Sequence, residues 1–190
     1  MGLPDLASTW RLAEEEEAVR EALQAFLKAC LQYRLLQRGG TFLHAAAVSR
    51  QGEGFAFVGH TRSGKTTLSR EFPAGELLGD DLVAVRPLGG GFVLFGTPWP
   101  GREGGAVAYG GVPLRAVFNL RPAPRTGVSR PSPGEASAEL MANAPRLGHP
   151  GEESKLLENF SSLAAAVPIF SMSLRLGDDV VPYLERMKGE

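Results

Sequence analysis

Gly59-His60-Thr61-Arg62-Ser63-Gly64-Lys65-Thr66 decides how this chain is read. The spacing G-x-x-x-x-G-K-T is that of a phosphate-binding loop. Glycines let the backbone curl until successive N–H groups point inward at phosphate oxygens. In such a loop Lys65 reaches the β- and γ-phosphates, and the Thr66 hydroxyl joins the shell of a Mg²⁺ ion. The anion-binding set then runs without a break through Gly59, His60, Thr61, Arg62, Ser63, Gly64, Lys65, Thr66 and Thr67. Ahead of the loop, Phe55-Ala56-Phe57-Val58 is a short apolar, strand-like run. Behind it, Thr67-Leu68-Ser69-Arg70-Glu71-Phe72 predicts a helix whose N-terminus faces the anion. A strand before and a helix after is the context the motif requires. It favours nucleotide phosphate over a chance glycine-rich turn.

Working outward, the 190 residues, 43% hydrophobic and 22% charged, suit one α/β domain with a real core. A formal net charge of −1 argues against a general nucleic-acid surface. One cysteine, Cys30, cannot form an internal disulfide and fits a reducing compartment. The start Met1-Gly2-Leu3-Pro4-Asp5-Leu6 lacks the layout of a signal peptide, and no apolar run is long enough to span a membrane. A cytoplasmic protein is the expectation.

Residues 13–38 predict a helix, with Val19, Leu23, Phe26, Leu27, Cys30, Leu31 and Leu35 along one stripe. Cys30 on that stripe reads as a packing residue. The division expected is a helical lead over 1–40, a nucleotide-binding core over 41–120, and C-terminal helices and a strand over 121–190. Thr41–Ser49 reads as a strand turning tightly through Gln51-Gly52-Glu53-Gly54 into Phe55–Val58, which forces antiparallel pairing. A turn centred on residues 52 and 53 sets His44 opposite about Thr61, beside the phosphate loop. Glycine-rich residues 96–111 read as a long loop of the kind that covers a site. Residues 121–131, with three prolines, read as a connector. Ser132-Pro133-Gly134-Glu135 is a capping box that opens a helix towards Met141. A further helix is expected from Glu152 to Val167, a half-exposed strand over 169–176, and a last helix capped by Asp178 or Asp179.

Asp80 and Asp81 follow the short strand Glu76-Leu77-Leu78, at 15 and 16 residues beyond Lys65. Phosphoryl transfer needs one carboxylate for Mg²⁺ and one to take the acceptor's proton. Adjacent residues leaving a strand point in different directions, so this pair can meet both needs. Which aspartate does which stays open.

Leu43-His44-Ala45-Ala46-Ala47-Val48, the phosphate loop and Gly79-Asp80-Asp81 together resemble the catalytic domain of HPr kinase/phosphorylase. They are more closely similar to the small HPr-kinase-related proteins linked to modified-peptide biosynthesis. Loop and fold are also similar to ATP-dependent phosphoenolpyruvate carboxykinase. The resemblance implies a single P-loop domain with a mixed sheet, preceded by an N-terminal helix. It implies a serine kinase using ATP, with GTP not excluded, and Mg²⁺ held by Thr66, Asp80 and Asp81. It gives catalytic roles to Asp80, Asp81, His44 and Lys65, and to Arg115 as a stabiliser of transferring charge. HPr itself is not the expected acceptor, because the family's long glycine-rich motif after the core has no counterpart here. The partners implied are a nucleotide and a hydroxyl-bearing peptide, protein or small molecule, with no nucleic acid and no membrane; a homo-oligomer stays open. Two other readings remain, a nucleotide-binding regulator or scaffold and a carboxykinase-like enzyme of small molecules.

Overall fold

A computed structural model describes residues 6–73, 75–99, 101, 110–146, 148 and 150–186, with side chains from Glu14 onward. The chain divides into two compact units, one ending at Arg34 and one starting at Leu35. The first is helical. Helix α1 runs Leu6–Leu36, starting earlier than the 13–38 pattern predicts. Val19, Leu23, Phe26, Leu27 and Leu31 on its apolar stripe are all exposed. Cys30 is exposed as well, which corrects its reading as a packing residue. Periodicity shows that one face of a helix is apolar; it does not supply the cover for that face. Among the described residues no helix is long and apolar enough to cross a membrane.

The second unit is α/β, with a mixed sheet between helices. After the last turn of α1 come β1 (Thr41–Arg50), β2 (Glu53–Val58), α2 (Lys65–Ser69), β3 (Leu77–Gly79), β4 (Leu82–Leu88) and β5 (Gly91–Gly96). Then follow β6 (Gly111–Pro122), β7 (Gly127–Ser129), α3 (Pro133–Ala142), α4 (Glu152–Ala166), β8 (Ile169–Leu174) and α5 (Val181–Arg186). Two long strands change partners midway. On β1, Thr41–His44 pair antiparallel with β4, and Ala45–Arg50 pair antiparallel with β2. On its other edge β1 also takes β3. On β6, Val112 and Pro113 pair with β5, while residues from Leu114 to Asn119 run parallel to β2. The far edge of β6 takes β8 in parallel. Strand β7 then closes the edge, paired antiparallel with β8 inside the stretch that composition reads as a connector.

The turn between β1 and β2 holds only Gln51 and Gly52, with φ of 54° and 82°. Two consecutive left-handed residues make the hairpin turn that matches strand twist. Arg50 therefore faces Glu53, and Ala45 faces Val58. This register moves His44 two residues from the predicted one, to a place beside Gly59 rather than Thr61.

Alternation along the strands sorts the core into two layers. Leu43, Ala45, Ala47, Ala56, Val58, Val117 and Ile169 pack with Leu140, Leu156, Phe160 and Leu163 of α3 and α4. The opposite parity, including Ala46, Val48, Phe55 and Phe57, packs with Leu68 of α2, Phe72 and Leu184 of α5. In this second layer, register stacks Phe57 on Phe118 and Phe118 on Phe170, each pair with ring centroids 5.4 Å apart. The aromatic ladder crosses the three parallel strands directly behind the phosphate loop.

Helix α3 opens with the capping box that the sequence shows. Ser132 Oγ accepts from Glu135 N–H at 3.4 Å, and Glu135 Oε2 accepts from Ser132 N–H at 2.8 Å. The Ser132 hydroxyl, donating to Glu135 Oε2 at 2.7 Å, and with it the Ser132 N–H hold the Glu135 carboxyl below its ordinary range. Two effects on stability follow, both readable by urea denaturation. Phe118→Ala removes the middle rung of the ladder and lowers stability by about 3–5 kcal/mol. Ser132→Ala lowers it by about 1 kcal/mol through the lost cap.

Candidate phosphate-binding site

The loop leaves the buried end of β2 and is shaped by backbone geometry before any side chain acts. Gly59 has φ of 151°, and a Cβ there would lie 2.7 Å from Ser63 Oγ and 2.8 Å from Leu120 O. Arg62 is left-handed at φ 67°, an uncommon state for a side chain of its size. Ser63 N–H closes the turn on His60 O at 3.0 Å. Helix α2 begins at Lys65 and lasts only five residues, shorter than the predicted 67–72 helix. So short a helix has little dipole, and the anion site rests on loop amides and Lys65.

Lys65 is buried, and its ammonium donates to Gly59 O at 2.5 Å and His60 O at 3.1 Å. Burial lowers its pKa, and the nearby Asp81 carboxylate opposes that shift. Ser63 Oγ is buried with no hydrogen-bond partner among the described residues. An unsatisfied hydroxyl and a partly desolvated ammonium in one loop match what a phosphate group would satisfy.

The acids arrive on the neighbouring edge. Asp80 and Asp81 are the two-residue link between β3 and β4, and both strands pair with β1. Ala45 N–H donates to Asp81 O at 3.0 Å, which docks the link on β1. The two side chains diverge. Asp81 Oδ1 lies 3.0 Å from His44 Nδ1, in a pair that is about half exposed. Asp80 Oδ1 accepts from Gly101 N–H at 2.6 Å. The chain between β5 and Gly101 is held in turn. Thr97 Oγ1 donates to Leu82 O at 2.6 Å, and Trp99 sets its ring edge-on to Phe42 at 5.9 Å. Of the loop expected to cover the site, over 96–111, residues 100 and 102–109 lie outside the described residues.

One cavity of about 370 Å³ is lined by His44, Thr61, Arg62, Ser63, Gly64, Lys65, Thr66, Thr67, Asp80, Asp81 and Leu176. The structure thus brings together the histidine, both acids and most of the loop. Gly59 shapes the loop without lining the cavity, and His60 is an exposed residue of its turn. Arg115 is elsewhere. Its neighbour Leu114 pairs with Gly54, whereas the loop leaves β2 beyond Val58, whose partner is Asn119. Four residues of strand separate Arg115 from Asn119, about 13 Å. Arg115 approaches Glu53 instead, at 3.9 Å. The expectation that it stabilises transferring charge is corrected: nothing in the sequence fixed where along β6 the loop would stand.

Sequence reading missed Asn143. It caps the C-terminus of α3 and is buried. Its Oδ1 accepts from Gly59 N–H at 2.9 Å, and its backbone O accepts from His44 N–H at 3.0 Å. Its Nδ2 donates to Glu139 O at 2.7 Å, which fixes the amide's orientation. One residue therefore ties the first amide of the loop to β1 at His44. An asparagine at a helix end was the available signal, but a C-cap is its commonest role and nothing local points to Gly59.

For Mg²⁺, the available donors are the Thr66 hydroxyl and the Asp80 and Asp81 carboxylates. Among the described residues no cluster of three or more His, Cys, Asp or Glu forms a metal cage. Mg²⁺ shared with phosphates uses one or two carboxylates and keeps its waters, so hard oxygen donors in this number fit it.

No protein-family model matches the sequence. No curated protein matches it. Among solved structures, the HPr(Ser) kinase/phosphatase from Coxiella burnetii is similar over 78% of this chain and 88% of that one, with 13% identity and a TM-score of 0.38. That is a distant structural similarity, at a level that transfers no activity.

Proposed function

We propose that this protein binds Mg-ATP and transfers the γ-phosphate to a serine-type hydroxyl on a peptide, protein or small molecule. The observation that carries the reading is the His44–Asp81 pair, 3.0 Å apart, in the same cavity as Lys65 and the loop. Phosphoryl transfer asks a protein chiefly for positioning and charge stabilisation. Loop amides and Lys65 hold the β- and γ-phosphates. Thr66 and Asp80 would hold a Mg²⁺ ion, which when bound would neutralise phosphate charge. Asp81 then takes the acceptor's proton, and His44 holds that carboxylate in place. The acceptor oxygen bonds to the γ-phosphorus, the bond from that phosphorus to the β-bridging oxygen breaks, and the nucleoside diphosphate leaves. The hydroxyl proton ends on Asp81. None of these groups reads the base, so GTP stays within the reading.

Transfer of ³²P from labelled ATP to a panel of serine-containing peptides, and to water as the default acceptor, tests the proposal. Asp81→Asn lowers the transfer rate by about 10²–10⁴-fold, the usual worth of a positioned base, and leaves ATP binding measurable. Lys65→Ala removes binding itself. If Asp80→Asn and Asp81→Asn both match the wild type in every transfer assay, the proposed reaction is wrong and the nucleotide-binding regulator gains. Asn143→Ala leaves the Gly59 N–H buried without an acceptor; stability falls by about 1–3 kcal/mol and ATP affinity falls with it. Thermal unfolding with and without Mg-ATP separates the two effects.

A further inference from the structure

Strand β8 ends at Leu174, and the chain turns at once, with Asp178 N–H donating to Arg175 O at 3.1 Å. That turn is braced from two sides. Arg175 N–H donates to Thr126 Oγ1 at 3.0 Å, and Thr126 Oγ1 donates to Asp178 Oδ2 at 2.8 Å. Arg175 Nε donates to Asp178 Oδ1 at 3.0 Å, and Tyr183 OH to Thr126 O at 3.2 Å. The result is a leucine, Leu176, held with 59% of its surface exposed in the lining of a polar cavity. It lies against the loop: a Cβ on Gly64 would be 3.0 Å from Leu176 Cδ2. Gly64 has φ of 99°, so the same position is reserved for glycine twice over, by conformation and by this contact.

Topology gives the cavity two ends. Strand β2 lies between β1 on one side and β6 on the other, with β8 beyond β6. His44 comes from β1, and Asp80 and Asp81 from the link paired with it. The cavity's imidazole and both of its carboxylates are on that side. Leu176 stands on the β8 side. A triphosphate lying along the loop with its γ-end at the acids therefore points its nucleoside end at Leu176. From this we infer that Leu176 is the wall of a nucleobase subsite, covering the flat apolar face of the base. The inference rests on the nucleotide reading above and adds a nucleoside-binding residue to it. Leu176 acts on the nucleoside and not on the reacting phosphate.

Titration calorimetry with two probes, Mg-ATP and Mg-tripolyphosphate, tests it on the wild type, Leu176→Ala and Leu176→Met. Because Leu176 is exposed, both variants keep the fold, and their melting curves check this. Leu176→Ala weakens ATP about tenfold and tripolyphosphate by less than about twofold, while Leu176→Met restores most of the ATP affinity. The subsite is overturned if Leu176→Ala leaves ATP affinity unchanged, or if it weakens both probes alike. A wild type that binds neither probe overturns the nucleotide reading itself, and is a different result from either of those.

Discussion

The pairing of β1 along both of its edges is the constraint on which the site depends. Neighbouring strands stand about 4.8 Å apart, so the end of β1 lies within side-chain reach of whatever leaves its partners there. On one edge β2 delivers the loop; on the other, the β3–β4 link delivers two acids. His44 is the residue at that crossing. A slip of one residue would turn every side chain of β1 to the wrong layer. Burial on both faces forbids it, since Phe42, Leu43, Ala45, Ala46, Ala47 and Val48 are all inside. The alanines matter for another reason. Ala46 faces Phe57 across the hairpin, and its small size leaves room for the ring to stack along the sheet.

Strand pairing sets the neighbourhood, and Asn143 sets the distance within it. The amide oxygen and carbonyl of this one residue accept from Gly59 and His44, which are 15 positions apart in sequence, one opening the loop and the other on β1. Helix α3 that carries it is fixed at its other end by the Ser132–Glu135 box and along its length by Ala136 and Leu140 in the core. A surface cap and a buried clamp are thus two ends of one rigid strut. Loosening the first frays the helix; loosening the second frees the loop from the strand that carries its histidine.

What could be read from the sequence was local. The loop, the hairpin, the Asp80-Asp81 link and the capping box each declare themselves within ten residues, because turn chemistry and phosphate chemistry both restrict residue type. Long-range facts were less legible. The hairpin register shifted by two because Gln51 takes a left-handed state that its residue type seldom adopts. Strand β7 hid among prolines because a three-residue edge strand needs only a partner, and that partner, β8, lies some 40 residues on in the chain. Arg115 looked available because its place along β6 depends on which residue of β2 it meets. The α1 stripe misled about burial: Leu27, Cys30 and Leu31 on it are exposed whereas Gln32 and Leu36 off it are buried, since burial depends on what lies opposite.

The loop itself contains several features that oppose stability: a left-handed Arg62, an unsatisfied Ser63 hydroxyl, and an ammonium whose charge burial disfavours. Such costs persist where surrounding structure over-determines the conformation, and here the phenylalanine ladder and the Asn143 clamp do so. They also gather where an anion would relieve them. A phosphate would satisfy the hydroxyl and favour the charged lysine. Until one is present, the loop's own carbonyls at Gly59 and His60 hold that ammonium. Asp81 is part of the same balance, because its negative charge supports the charge on Lys65.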